Sequence, residues 1–467
     1  MSDATTALLL EAVFGFPALG VLVLALPAWF GVKMREHFTV AVLGVAFTAS
    51  MVASLLLMGH LAVSGEPFVE ARLGSWFHVD HYSFELRLVG DHLSLPFATF
   101  SSMLVGLVVA FSRRYLHLEP GFLRFFLLLA LFGTGVQLVV LAGTLDLVLF
   151  GWELVGLTSA LLIGFFHERP APVRHGFRAL VTYRACDIGL LGAAVWLHHT
   201  TGSASLVESA PWLGFAAPLD GSEAMIVGFL LLWASMGKSA QVPLSGWLPR
   251  AMEGPTNSSA IFYGAISIHL GPYLLLRSGL ILEQAPLVSY CVIAIGAATA
   301  LHGTFVGRVQ TDIKSSLAYA SMAQVGLIFV EIGLGLQLIA LVHIVGHATL
   351  RSLQILRSPS LLHDHHHLEQ ALGNRLPATG QHLERLVPRF FQPWLYRHAL
   401  ERGYLDTLMV NYVAGSFRRV MLSVDSVDRW LADRLGRPGP RKSRSSSMGT
   451  GGPVNSTAAP IERKEIR

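Results

Sequence analysis

The chain has 467 residues, of which 52% are hydrophobic and only 14% are charged, and its mean hydropathy is +0.54. A soluble domain carries about 25% charged residues, because water must wet its surface. The composition therefore excludes an ordinary soluble protein and indicates a membrane protein. The two cysteines, Cys186 and Cys291, are too few for a disulfide framework and lack the spacing of metal ligands. A pI near 9.1 does not indicate nucleic-acid binding, because the basic residues stand in short loops and in the tail.

The apolar runs predict a polytopic, all-α membrane protein with eleven spans, since about 20 apolar residues cross a hydrocarbon core roughly 30 Å thick. The first run follows Met1 without a positive region or a cleavage site, so we expect a retained helix rather than a signal peptide. Residues 64–92 are aromatic and alternate in polarity, which predicts a short external hairpin. The predicted spans lie near 8–30, 39–63, 93–112, 122–142, 145–166, 177–197, 224–247, 258–279, 286–306, 315–334 and 336–356.

Loops rich in Lys and Arg alternate along the chain with loops that nearly lack them. Lys33 and Arg35 follow the first span and Arg113 and Arg114 the third, whereas the 198–223 loop has no Lys or Arg. The positive-inside rule then predicts an N-terminus outside and a C-terminus in the cytoplasm, at a bacterial inner membrane. Beyond the membrane domain, residues 1–357, we expect amphipathic helices on the cytoplasmic surface over 358–436 and a disordered tail over 437–467.

Ionisable residues within the predicted spans are the candidate functional residues, because a charge at the bilayer centre costs about 2.5–3.5 kcal/mol on insertion scales. Arg184 and Asp187 are three residues apart and share one face of the sixth helix. Lys238 stands between Gly237 and Pro243, which predicts a broken seventh helix, and transporters build ion sites at such breaks. The candidates for a proton path are Glu153, Arg184, Asp187, Lys238, Lys314, His343, His347 and Arg351.

Structural roles stay open for several of these residues. Arg184 and Asp187 also fit a neutralised structural pair, and Lys314 also fits an interfacial residue near a cytoplasmic helix end. A single buried histidine is usually a satisfied core residue, but ionisable side chains four apart at His343, His347 and 351 favour a functional face. The histidine-rich run over 363–367 follows the last span without fixed spacing, so no metal site is predicted there.

Several strings within this pattern resemble the antiporter-like subunits of complex I, of the NuoL type, and their Mrp-antiporter relatives. Order and spacing hold from about residue 84 to residue 370. The resemblance therefore covers most of the predicted membrane domain. The matching strings are Gly151–Gly156, Leu162–Phe165, Gly237–Gln241 with Pro243 and Leu244, Gly254–Thr256, Gln310–Lys314, Leu317–Tyr319, and His343 with His347.

The resemblance implies roles for individual positions. It implies that Glu153 pairs with Lys238 of the broken helix, and that Arg184 and Asp187 are the charged positions of the sixth helix. It also implies that a central hydrophilic axis is lined by Lys314, His343 and His347. Departures from the family pattern are Tyr263 in place of an ionisable residue, Arg351 in place of lysine, and an amphipathic region instead of a second broken helix after span eleven.

Among these relatives the chain most resembles the DabB type, the membrane subunit of an inorganic-carbon accumulation system. The tract Ser259–Ala265 carries this finer likeness. It implies a transport subunit without enzymatic chemistry or cofactor of its own, which couples H⁺ (or Na⁺) entry to CO₂ hydration. The hydration and the zinc would belong to a cytoplasmic DabA-like zinc protein. The alternatives are a redox-linked complex I-type proton pump subunit, an Mrp-type Na⁺/H⁺ antiporter subunit, and an inert assembly scaffold.

Overall fold

The chain folds as a bundle of long helices, described by a computed structural model over residues 1–79, 82–201, 219–372 and 387–435. Ten helices in this described part are long and apolar enough to cross a membrane, so the prediction of a polytopic helical protein is confirmed. The helices of the bundle are α1 (Asp3–Trp29), α2 (Glu36–Ser64), α3 (Ser94–Tyr115), α4 (Phe122–Leu141), α5 (Leu145–Ile163), α6 (Pro170–Thr201), α7 (Gly221–Lys238), α8 (Thr256–Arg277), α9 (Pro286–Arg308), α10 (Ile313–Gly333) and α11 (Gln337–Leu372).

The predicted span 224–247 is the one of the eleven that is not among these ten helices, and it is broken. Helix α7 ends at Lys238, and two 3₁₀ turns, Leu244–Trp247 and Pro249–Glu253, follow it. Gly237 packs so closely on Cys186 that a Cβ there would lie 2.4 Å from the cysteine Sγ, whereas Gly246 lies beside Arg178, two turns earlier in α6. The chain therefore continues along α6 after the helix has ended. The predicted break is present, and it leaves Lys238 at the helix terminus.

A second irregular helix, α8, packs beside this break. It starts as a short α-helix, widens into a π-helical turn over Ala260–Ala265, tightens into a 3₁₀ turn over Ser267–His269 and ends as α-helix. All residues of its apolar stretch are buried within the bundle. Such π and 3₁₀ interruptions commonly mark functional sites, because they free backbone groups and redirect side chains.

The predicted hairpin is present between α2 and α3. Strands β1 (Phe68–Val79) and β2 (Tyr82–Asp91) pair antiparallel, with Val69 opposite Gly90 and bulges after residues 72 and 75. Gly90 packs against Leu10 near the start of α1, where a Cβ would meet the leucine at 3.0 Å. The hairpin therefore lies at the end of the bundle where α1 begins.

A buried ion pair fastens this end of the bundle. Asp91 accepts the backbone N–H groups of Leu93 (3.0 Å) and Ser94 (2.7 Å) and pairs with Arg277 at the end of α8. Burial alone would raise the pKa of Asp91, but the charge and hydrogen bond of Arg277 hold it below the ordinary value. Because Asp91 ends β2, accepts from the first turn of α3 and pairs with Arg277, the hairpin, α3 and α8 are joined at one point.

The two longest helices of the described C-terminal residues are α12 (Gln392–Leu400) and α13 (Gly415–Leu435), and shorter helical turns lie between them along the chain. Residues through Thr407 belong to the same compact unit as the bundle, and a second unit begins at Leu408. Helix α11 runs on to Leu372, past the boundary predicted at 357. In helix α13 the apolar side chains Val424, Val427 and Trp430 are exposed. The predicted disordered tail, 437–467, lies outside the described residues.

Candidate functional site

Lys238 occupies a pocket in the middle of the bundle with only 1% of its surface exposed. Its Nζ donates a hydrogen bond to the carbonyl of Trp152 (3.1 Å) and lies over the rings of Trp152 (4.8 Å) and Tyr183 (4.7 Å). Aromatic faces attract a cation through their quadrupole. Gly156 borders the ammonium, and a Cβ there would lie 3.0 Å from Nζ. Among the described residues, no carboxylate oxygen comes within the 4.0 Å of an ion pair with Lys238.

The expected pair between Glu153 and Lys238 is wrong for this conformation, because Glu153 forms its ion pair with Arg184 of α6. Gly156, three residues further on the same face of α5, has both bases as neighbours, since a Cβ there would lie 3.0 Å from Nζ of Lys238 and 3.9 Å from Nη2 of Arg184. The arginine therefore competes with the lysine for the carboxylate of Glu153 and holds it in this structure.

Asp187 is the carboxylate that is linked to Lys238 through Trp152. It accepts a hydrogen bond from the indole Nε1 of Trp152 (2.7 Å), and its second oxygen lies 3.9 Å from Nε of Arg184. Asp187 is 5% exposed. Trp152 thus touches Lys238 through its carbonyl and ring, and Asp187 through its indole. Two acids and two bases form one neutral charge network around a tryptophan: Glu153, Arg184, Asp187 and Lys238.

Aromatic side chains separate this network from α8. The ring of Trp247 packs against Tyr183 (4.9 Å between centroids) and Tyr263 (5.6 Å), and its Nε1 donates to the carbonyl of Gly237 (3.1 Å). Both tyrosine hydroxyls are buried without a hydrogen-bond partner in the described part of the chain. Sequence reasoning missed Trp152, Tyr183 and Trp247, although Trp152 stands inside the matched string beside Glu153.

A second polar cluster lies between α8, α10 and α11. His343 contacts Glu331 through Nδ1 (2.8 Å) and Gln324 through Nε2 (3.0 Å). His347, one turn further along α11, places Nδ1 3.0 Å from Nε2 of His269 on α8. The rings of His343 and His347 are 6.4 Å apart. The structure therefore brings the two predicted histidines into one cluster and adds His269 of α8.

The two remaining candidates differ in burial. Arg351 is 8% exposed and lies against Gly264 of the π-helical turn, with its Nε unpaired among the described residues. Lys314 is half-buried in the first turn of α10, next to the N-cap Asp312. It has no hydrogen bond or ion pair with a residue that the structure describes. The structure thus places Arg351 beside the histidine cluster and leaves Lys314 at a helix end.

Comparison with known proteins agrees with this architecture. Residues 142–375 match the family described as "NADH:quinone oxidoreductase/Mrp antiporter, TM", and residues 76–126 match "NADH-Ubiquinone oxidoreductase (complex I), chain 5 N-terminus". The chain is similar to NADH-quinone oxidoreductase subunit L of Escherichia coli, at 35% identity over 65% of this chain and 50% of that protein. It is also similar to NAD(P)H-quinone oxidoreductase chain 5 of Synechocystis sp., at 33% identity over 71% of this chain and 48% of that protein.

A solved structure shows the same fold. The Mrp complex from Dietzia sp. contains a chain that aligns with a TM-score of 0.64 and 27% identity, covering 82% of this chain and 40% of that one. The chain spans about half the length of the curated relatives it matches. The match to the transmembrane family covers the broken helix, the lysine pocket and the histidine cluster. The chain belongs to the family of antiporter-like membrane subunits shared by NADH:quinone oxidoreductase and the Mrp antiporter.

Proposed function

We propose that the chain is a proton-translocating subunit of a multisubunit membrane complex, with Lys238 as its central proton-exchanging group. The observation that carries this proposal is a fully buried lysine at a helix break, which has no ion-pair partner among the described residues but lies beside two acids and an arginine. Burial without a counter-charge disfavours the charged form of an amine. Movement of a carboxylate toward or away from Lys238 would therefore change its affinity for a proton.

The interaction energies are large enough for movement of a carboxylate to control the protonation of Lys238. A carboxylate that approaches an ammonium to about 4 Å stabilises it by about 4 kcal/mol at an effective dielectric near 20. A membrane potential on the order of 150 mV supplies about 3.5 kcal/mol for each charge that crosses. Glu153 is now held by Arg184. Exchange of this carboxylate between Arg184 and Lys238 would load and unload the lysine, and His343 and His347 would carry the proton onward.

The exposure of the Glu153–Arg184 pair supports a heteromeric complex. Their side chains are 30% and 45% exposed on the isolated chain, although both lie inside membrane-spanning helices. Charged groups within a bilayer face protein or a water-filled cavity rather than lipid. Hydrophobic neighbours on the same surface, including Leu157 and Ile188, are exposed as well. A second membrane subunit packed on the face of α5 and α6 would cover the pair.

The names of the relatives favour a complex I-type or Mrp-type assembly as the context of this subunit. The second candidate is the inorganic-carbon complex with a DabA-like zinc partner on the cytoplasmic side. Its support is the tract Ser259–Ala265, which contains the π-helical turn of α8, and the amphipathic helix α13 that follows the bundle in the described residues. In each context the chain supplies energy coupling, with its C-terminus at the cytoplasmic side as the basic loops predict.

Two measurements test the proposal and distinguish the assemblies to which the chain could belong. Proton uptake into proteoliposomes that contain the native complex should collapse in Lys238→Ala but persist in Lys33→Ala, a lysine of the α1–α2 loop. Wild-type uptake by Lys238→Ala would refute the central role of the lysine. Mass spectrometry of the co-purified chains separates quinone-dehydrogenase subunits from a zinc protein, and sodium-dependent uptake would indicate the Mrp-type alternative.

A further inference from the structure

We infer that His269 is a positioning residue that fixes the tautomer of His347 and thereby makes Nε2 of His347 the proton-exchanging atom of the histidine cluster. This inference rests on the proposed function for its role in transport. The tautomer itself is a property of the folded chain. It can therefore be tested whether or not the chain carries protons.

The backbone of α8 sets the protonation of His269. Its Nδ1 contacts the carbonyl oxygen of Ala265, and a carbonyl oxygen can only accept, so Nδ1 carries the hydrogen. In a regular α-helix this carbonyl would bond the backbone N–H of His269. Here that N–H bonds Ile266 instead (3.0 Å), because the segment has tightened into a 3₁₀ turn. The irregular helix thus leaves the Ala265 carbonyl available to the imidazole.

The hydrogen bond between His269 and His347 also determines which nitrogen of His347 carries the hydrogen. A neutral imidazole has one N–H, so His269 with a protonated Nδ1 presents Nε2 as an acceptor. That atom lies 3.0 Å from Nδ1 of His347, which must therefore donate. His347 is left with its lone pair on Nε2. That nitrogen is buried and has no hydrogen-bond partner among the described residues.

The neighbouring charges favour the neutral form of both His269 and His347. Arg351 lies one turn beyond His347 on α11, and no acid pairs with either His347 or His269 in the described part of the chain. His343 has the opposite surroundings, since the Glu331 carboxylate contacts Nδ1 and the amide oxygen of Gln324 contacts Nε2. The cluster therefore places a ring that contacts two acceptors, at His343, one helical turn from a ring with an unoccupied acceptor nitrogen, at His347.

The hydrogen bond to His269 restricts proton exchange on His347 to Nε2. When Nε2 of His347 takes up a proton, the ring becomes an imidazolium with two N–H groups, and Nδ1 still donates to His269. When the proton leaves, it departs from Nε2, because the Nδ1 hydrogen stays bonded in both states. His269 is fully buried and needs no change of its own protonation in this cycle.

Two substitutions separate positioning from proton carriage. His269→Gln can donate its amide N–H to Ala265 and accept from His347 with its amide oxygen, yet it cannot titrate. His269→Phe retains the approximate shape and removes the acceptor. Ser278→Ala is the control, because among the described residues the hydroxyl of this buried residue, which caps the end of α8, bonds only the carbonyl of Leu274 (2.7 Å). Each variant is purified as the full complex.

The first readout is ¹⁵N NMR of histidine-labelled complex, with His347→Gln used to assign the His347 signals. We expect a protonated Nδ1 and a bare Nε2 in the wild type, in His269→Gln and in Ser278→Ala, and a mixed or reversed pattern in His269→Phe. Proton uptake should fall about tenfold or more in His269→Phe and stay within about twofold of wild type in His269→Gln.

Three results would overturn the inference. A wild-type His347 with its hydrogen on Nε2 would contradict the assigned tautomer. An unchanged tautomer in His269→Phe would show that His269 does not set it. Loss of uptake in His269→Gln with a retained tautomer would show that His269 carries a proton itself. If the wild-type complex shows no proton uptake at all, the proposed function fails, while the NMR result still decides whether His269 fixes the tautomer.

Discussion

Asp406 and Arg250 form a bidentate ion pair that joins the C-terminal segment to the turns after the helix break. Nη2 of Arg250 lies 2.7 Å from Oδ2 and Nη1 lies 3.2 Å from Oδ1 of the aspartate. Arg178 of α6 donates to the same carboxylate. The segment before Leu408 is therefore bound to α6 and to the turns that follow the broken helix, at the end of the bundle opposite the hairpin.

Loss of the Asp406 carboxylate should release this segment. In Asp406→Asn the guanidinium groups of Arg178 and Arg250 lose their shared counter-charge, at a cost of about 2 kcal/mol for a half-buried charged hydrogen-bond network. Hydrogen exchange measured by mass spectrometry should show faster exchange over 388–407 and unchanged exchange in α4. Asp425→Asn, which breaks an exposed pair with Arg429 in α13, is the control. Equal protection of 388–407 in the mutant and the wild type would contradict the fastening role.

The same ion pair predicts a pH dependence. Burial alone would raise the pKa of Asp406, but hydrogen bonds and charge from Arg250, with the charge of Arg178, hold it below the ordinary value. A lowered pKa contributes stability that is fully present above the unfolded value, about 3.9, and is lost as the pH falls through the folded value. Protection of 388–407 should therefore stay constant from about pH 8 to pH 5. A loss of protection within that range would show that another group controls the contact.

Removal of the Lys238 ammonium should stop transport without unfolding the chain. In Lys238→Ala the buried charge disappears and Trp152 loses the donor to its carbonyl, while Asp187 keeps its indole hydrogen bond. We expect proton uptake to fall by about 100-fold or more, the range for loss of a positioned proton-transfer group. Size-exclusion chromatography should show an intact complex. An assembled Lys238→Ala complex with normal uptake would favour the inert-scaffold alternative.

The ion pair between Glu153 and Arg184 should appear as energetic coupling. Glu153→Gln leaves Arg184 without its main counter-charge inside the membrane, with Asp187 only at 3.9 Å. A second substitution, Arg184→Gln, should therefore recover much of the thermal stability that Glu153→Gln loses, with a coupling energy of about 1–3 kcal/mol. Proton uptake should remain lost in the double variant, because the mobile carboxylate is still missing. Additive effects on stability would show that the two groups do not interact in the assembled complex.

The sequence could predict the features that depend on local pattern. Hydropathy located the spans, and glycine and proline around Lys238 located the break, because both signals act within about one helix length. The partner of Glu153 could not be predicted in this way. It depends on how α5 is rotated against α6, which tertiary packing decides.

The histidine cluster also combines a feature that local sequence pattern determines with one that tertiary packing determines. His343 and His347 share a face through their spacing of four, which the sequence contains. His269 joins them only because α8 changes from π-helical to 3₁₀ geometry just before it, and this irregularity has no simple periodic signal. Asp406 was missed because its partners, Arg178 and Arg250, are more than 150 residues away along the chain.

Gly156 offers a test of position that leaves every charge in place. A Cβ at this residue would lie 3.0 Å from Nζ of Lys238 and 3.7 Å from the Tyr183 ring. Gly156→Ala should therefore push the flexible lysine end away from the Trp152 carbonyl, while the fold tolerates one added methyl group. Because a displacement of about 1 Å can cost about 100-fold in a positioned reaction, we expect proton uptake to fall by at least about tenfold. Gly44→Ala in α2, where nothing lies within 4 Å of the added Cβ, should behave as the wild type. Normal uptake by Gly156→Ala would mean that the ammonium does not need its place against Trp152, and that the lysine works from another position.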